Sequence, residues 1–127
     1  MLSLRLPTRV FVCTLPTDMR KSFDGLLGMV REYLGQDPLS GHIFLFLNRR
    51  RDRVKILLWE PDGLVIWYKR LEEGTFVFPT PDKQRVQVGV HGLLIRPAEL
   101  AMLLDGIDLQ SVKRRQRYQR PQPTTSS

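Results

Sequence analysis

Apolar residues recur along this chain with two different periods, and the switches between them divide it into elements. Residues 9–14 (RVFVCT) are mostly β-branched or aromatic, which predicts a short strand ending at the Pro16 breaker. From Thr17 the spacing becomes helical. Met19, Phe23, Leu26, Leu27, Val30, Tyr33 and Leu34 fall on one face, with Thr17 or Asp18 as N-cap and Gly35 as the stop. After the turn formers GQDPLSG come three stretches of strand character, residues 42–48, 53–60 and 63–70. Shorter strands are predicted over residues 75–78 and 85–90, on either side of the loop PTPDK. Residues 97–105 read as a second helix, with Pro97 in its first turn and Gly106 just past its end.

Pro61-Asp62 followed by Gly63 suits a tight turn, because proline presets φ at a central turn position. Pairing Glu60 with Gly63 then sets Trp59 opposite Leu64, Leu57 opposite Ile66, Lys55 opposite Tyr68 and Arg53 opposite Arg70. If residues 49–52 also form a hairpin connection, Asn48 pairs with Arg53. One face of these three strands becomes aliphatic, holding Ile43, Leu45, Leu47, Val54, Ile56, Leu58, Val65 and Trp67. That face is expected to take the first helix. The other holds His42, Phe44, Phe46, Leu57, Trp59 and Tyr68 interleaved with Arg53, Lys55 and Arg70. Two readings of it stay open: a stacking platform for unpaired bases among phosphate-binding cations, or a second core layer with a basic rim.

The fold class expected from these elements is α+β, a single small domain over residues 1–112. Its antiparallel sheet has about four to six strands, with an N-terminal helix packed on one face and a short C-terminal helix. The remaining stretch, 113–127, is a basic tail with too little to bury for order. A chain of 127 residues that is 42% hydrophobic supports one ordinary core.

Charge changes the picture more than composition does. The formal net charge is +7, and the segment KRRQRYQR (113–120) holds five basic residues and no acidic one. A second cluster, RRRDRVK (49–55), has five basic residues against one acidic, and everything outside the two nets −2. Such clusters favour acidic partners, nucleic acid first. The candidate nucleic-acid contacts are therefore Arg49, Arg50, Arg51, Arg53, Lys55, Tyr68 and Arg70, with Lys113, Arg114, Arg115 and Arg117 in the tail. PTDMRKSFDG presents a mixed-charge surface in which Asp18 caps the helix, Lys21 can pair with Asp18 or Asp24, and Arg20 and Lys21 are candidates for holding a protein partner.

Catalytic chemistry is not expected. Asp18 and Asp24 are six residues apart, about 120° around a helix, so they do not converge on a metal ion. Asp62 lies in a turn, and Asp105 and Asp108 flank a helix end. His42 and His91 lack ligand spacing, and Gly25 and Gly28 belong to the helix pattern rather than to a phosphate loop. No metal or cofactor is expected. With Cys13 the lone cysteine, and neither a signal peptide nor a run of ~20 apolar residues, the chain reads as cytoplasmic and free of membrane.

Three longer stretches carry a resemblance: PTDMRKSFDGL (16–26), DPLSGHIFLFLNRRRDRVKILLWEPDGLVIWYKRLEEGTF (37–76) and LAMLLDGIDL (100–109). Together they closely resemble the TnpB or Orf2-like accessory protein of the sixty-six family of bacterial insertion sequences, in order over roughly residues 5–110. Leu47 and Glu60 stand where that family often has arginine and aspartate. The resemblance implies a non-catalytic role in transposition, in a bacterial cytoplasm and at the nucleoid. The implied partners are DNA at the element ends, the transposase and the other element-encoded accessory protein. Binding DNA to help assemble the transposase is the first expectation, and an adaptor that touches only protein is the second.

Overall fold

The computed structural model describes residues 8–78, 84–105, 107–108 and 113–114. Strand β1 (Val10–Cys13) leads into helix α1 (Phe23–Tyr33), then β2 (Ile43–Leu47), β3 (Arg53–Glu60), β4 (Gly63–Arg70), β5 (Gln87–Val88), β6 (Gly92–Ile95) and helix α2 (Pro97–Asp105). The strands form one six-stranded sheet in the order β4-β3-β2-β1-β6-β5. The α+β class and strand number agree with expectation, but two details do not. The helix is not N-terminal, since β1 precedes it. The sheet is mixed rather than antiparallel, because β1 and β2 pair in parallel with Val10 opposite Ile43. The reason lies in the connection: β1 returns to the sheet through α1, and a helical crossover brings the next strand back in the same direction.

The two hairpins have the expected register, Glu60 opposite Gly63 and Arg53 opposite Arg70 in one, Leu47 opposite Val54 in the other. The faces are as read, but the helix sits on the other one. Helix α1 lays Leu26, Met29 and Val30 on Phe11, Cys13, Phe44, Phe46 and Leu57, the aromatic side of the sheet. Crossovers between parallel strands are right-handed in nearly all proteins, so strand order, and not the more aliphatic surface, decides which face such a helix covers. The aliphatic face is closed instead by α2, through Leu100, Leu103 and Leu104, and by Leu71, Phe76 and Phe78. Phe44 and Phe46 are wholly buried, so the inner part of the aromatic face is a core layer. Cys13 belongs to the same layer, and burial pushes its thiol up, against the opposing pull of the backbone at Leu15.

Several local readings shift for identifiable reasons. Residues 17–21 are not helical. The Asp18 carboxylate accepts the backbone N–H of Arg20 at 2.9 Å, and the N–H of Lys21 donates to the Asp18 carbonyl, a turn that competes with the helix. The helix therefore begins at Phe23, after Ser22, with Asp24 in its first turn. Residues 75–78 join no ladder, although Phe76 N–H donates to the Arg51 carbonyl at 2.7 Å. The strand expected over 85–90 contracts to Gln87–Val88, paired with the unforeseen β6. Two short strands, β7 (Ile107–Asp108) and β8 (Lys113–Arg114), pair with each other; the rest of the expected tail lies outside the described residues.

Between β5 and β6 the chain turns on Gly89, at φ +58°. A Cβ there would collide with the Tyr33 carbonyl oxygen and come within 2.6 Å of the Leu34 carbonyl carbon. The close approach lets His91 N–H donate to the Tyr33 carbonyl at 2.9 Å, tying the end of α1 to the sheet. Gly89→Ala is expected to destabilise by about 2–3 kcal/mol, from the left-handed backbone and the clash together. Urea unfolding measures it, and a loss below ~0.5 kcal/mol would contradict this packing.

Candidate functional site

The loop between β2 and β3 is organised by one side chain. Asn48 accepts the N–H groups of Asp52 and Arg53 on its Oδ1, at 3.1 and 3.0 Å, and its Nδ2 donates to Asp52 Oδ1 at 2.6 Å. Arg51 N–H donates to the Asn48 carbonyl, and Arg51 takes φ +60°, a left-handed conformation that residues other than glycine seldom adopt. The left-handed residue separates the three arginines. Arg51 turns toward the segment after β4, where its guanidinium carbon lies 4.4 Å from the centre of the Phe78 ring. Arg49 and Arg50 point into solvent.

Thr17 N–H donates to the Leu47 carbonyl at 2.8 Å, and that bond brings the segment after β1 against the same loop. Here Arg20 clasps Asp18: Nη2 to Oδ2 is 2.7 Å and Nε lies 3.1 and 3.0 Å from the two carboxylate oxygens. The hydrogen bonds from Arg20 hold the Asp18 carboxyl down at about 2, so it stays ionised and paired. This pair replaces the expected one between Lys21 and an aspartate.

Lys55 corrects the expectation of a free surface cation. It lies opposite Phe46 in the β2–β3 ladder and is only 9% exposed. Its Nζ donates to the Lys21 carbonyl at 2.7 Å and sits 4.9 Å from the centre of the Tyr68 ring. A buried ammonium needs such partners, and here they fix one side of a ring whose residue remains 47% exposed.

Between these parts lies a groove of ≈ 490 Å³, lined by Thr17, Asp18, Met19, Arg20, Asn48, Arg49, Arg50, Asp52, Arg53 and Tyr68. Four arginines against two aspartates leave it at +2. Asp18 is held by Arg20 and Asp52 by Asn48, whereas Arg49, Arg50 and Arg53 have no carboxylate within ion-pair distance among the described residues. The structure thus gathers Arg49, Arg50, Arg53 and Tyr68 with Arg20, which the sequence had suggested for a different partner. Arg51, Lys55, Lys21 and Arg70 stay out of the lining; Arg70 faces Glu72 at 3.7 Å. Lys113 and Arg114 are described only as strand β8, and Arg115 and Arg117 lie outside the described residues. Asn48 and Thr17 were missed as organisers. Asparagine ahead of a polar run is a turn signal that marks the first, and nothing local marks the second.

No group of three or more His, Cys, Asp or Glu side chains able to hold a metal ion occurs among the described residues. His42 accepts the Arg9 N–H on Nδ1 at 3.1 Å, and burial, then the nearby Arg9 charge, lowers its pKa. No helix among the described residues is long and apolar enough to cross a membrane.

Compared with known families, residues 8–114 match the family described as IS66 Orf2 like protein. The chain belongs to that family. Its members are accessory proteins of insertion sequences, and the family is not a known catalytic one. Two relatives come from Sinorhizobium fredii (strain NBRC 101917 / NGR234). Uncharacterized protein y4jC is 36% identical over 107 residues, covering 84% of this chain and 86% of the relative. Uncharacterized protein y4hO is 36% identical over 100 residues, covering 79% and 81%. No solved structure matches. The match spans both segments that build the groove.

Proposed function

We propose that this accessory protein acts without catalysis, by binding DNA at the ends of its insertion sequence and helping to assemble the transposase there. The observation that carries the reading is the groove beside the β2–β3 loop, where Arg49, Arg50 and Arg53 have no acidic partner among the described residues and Tyr68 is 47% exposed. Cations left unpaired beside a concave surface attract phosphates, and the release of phosphate-bound counterions supplies the driving force. A second reading, a protein adaptor, is favoured by β4, which ends the sheet with an edge that no strand among the described residues pairs, and by an exposed Trp67, features suited to adding a strand from a partner.

Salt titration separates the two. For the DNA reading, log K of the full chain on element-end duplex falls linearly with log salt, by ~0.9 per phosphate contact. Absence of measurable DNA binding at low salt, with capture of the transposase intact, would establish the adaptor instead.

A further inference from the structure

We infer that the groove between the 17–20 segment and the β2–β3 loop holds an unpaired nucleotide of a DNA strand, its base stacked on Tyr68 and its phosphates on Arg49, Arg50 and Arg53. The inference rests on the DNA reading above and names the form of DNA this site takes.

The geometry of Tyr68 is the first ground. Its ring is neither packed away like Phe44 and Phe46 nor loosely displayed. The Lys55 ammonium backs it at 4.9 Å, and the Lys21 carbonyl anchors that ammonium. A ring fixed from one side and open on the other is a pre-ordered stacking surface, and binding to it costs little side-chain entropy. In duplex DNA the bases stack on each other and show only their edges to the grooves, so this ring has a partner only where a base is unpaired.

Size and chemistry agree. The groove's ≈ 490 Å³ lies within the ~300–1,000 Å³ of small-molecule sites and suits a nucleotide rather than a double helix. Arg49, Arg50 and Arg53 line the same groove as the ring, so one ligand that carries both a base and phosphates can meet both. Asn48 and Arg20 are engaged within the protein, since Asn48 Oδ1 takes two backbone donors, its Nδ2 holds Asp52, and Arg20 is clasped on Asp18, which leaves Arg49, Arg50 and Arg53 as the groups open to the strand. With those arginines on phosphates, stacking plus phosphate contact gives a site tolerant of sequence. An acidic peptide would satisfy the arginines equally well but would leave the ring without a stacking partner.

The probe is an oligothymidylate single strand, compared with a blunt duplex of equal length, using the full chain. Tyr68→Ala is expected to weaken single-strand binding about 5- to 150-fold and duplex binding less than twofold, while Tyr68→Phe keeps both. Tyr68→Leu, which keeps apolar bulk without a π-face, should lose single-strand affinity like Tyr68→Ala and serves if the alanine variant is unstable. Equal losses on both probes, no loss on the single strand, or competition by polyglutamate as strong as by oligothymidylate would overturn the inference. Wild-type chain that binds duplex with a salt slope yet shows one of these outcomes leaves the DNA reading standing. Failure to bind either probe removes both.

Discussion

Phe46→Ala is expected to lower the stability of the fold by about 3–5 kcal/mol, the usual result of deleting a buried phenylalanine. Phe46 is at 0% exposure, on the sheet face that α1 covers, and shares that layer with Phe11, Phe44, Leu26 and Val30. Both the lost transfer energy of the ring and the cavity left behind contribute, and close packing on both sides restricts collapse. One neighbour can moderate the loss. Lys55 stands opposite Phe46 in the ladder, and its aliphatic stem is the side chain best placed to relax into the space, which would put the result at the lower end of the range. In urea the midpoint should fall with the slope unchanged, since the surface exposed on unfolding is nearly the same. A loss under ~1 kcal/mol would mean that the ring is not packed, and would return Phe46 to the stacking surface.

The same residue shows what was legible in the sequence and what was not. The alternation through residues 42–70, together with the turn at Pro61-Asp62, was enough to place every residue of the two hairpins opposite its observed partner and on its observed face. Those are local facts, set by a period of two and by turn chemistry. Which face the helix covers is not local. It follows from the parallel pairing of β1 and β2, which the residues of neither strand announce, so the aromatic layer lay open to two readings until the helix was placed. The length of α1 was overestimated for a different reason: Met19 fits the helical spacing, but the Asp18 side chain captures Arg20 and holds the segment in a turn.

The site was half legible. RRRDR announces a basic loop, but its three consecutive arginines look equivalent until the backbone places Arg51 at φ +60° and sends its side chain toward Phe78. Lys55 reads as a surface cation because lysine is seldom buried, and its burial is explained by the Tyr68 ring and by the Lys21 carbonyl, the second of which the sequence does not place beside it. Arg20 and the loop appear unrelated in sequence. Two hydrogen bonds on either side of Arg20, Thr17 N–H to the Leu47 carbonyl and Lys55 Nζ to the Lys21 carbonyl, hold its segment against the hairpin.

That division among the arginines sharpens the second large effect. Replacing Arg49, Arg50 and Arg53 together by Gln, with Arg51 left in place, is expected to reduce the salt slope of duplex binding by up to about 2.7 units, from ~0.9 per lost phosphate contact. If the salt-independent part of the affinity is unchanged, the same contacts amount to a loss of up to about 500-fold at ~0.1 M salt relative to ~1 M. The fold should survive. Arg49 and Arg50 are exposed, and the loop is held by the Asn48 side chain and by backbone groups of Asp52 and Arg53, none of which the substitutions remove. Leaving Arg51 avoids disturbing its stack on Phe78, so a thermal midpoint within a few degrees of wild type is the control. In a transposition reporter the triple variant should fail while still capturing the transposase in a pull-down. Transposition at the wild-type level would remove this loop from the mechanism whatever else binds DNA, and a failure of capture alongside transposition would move the arginines to a protein interface.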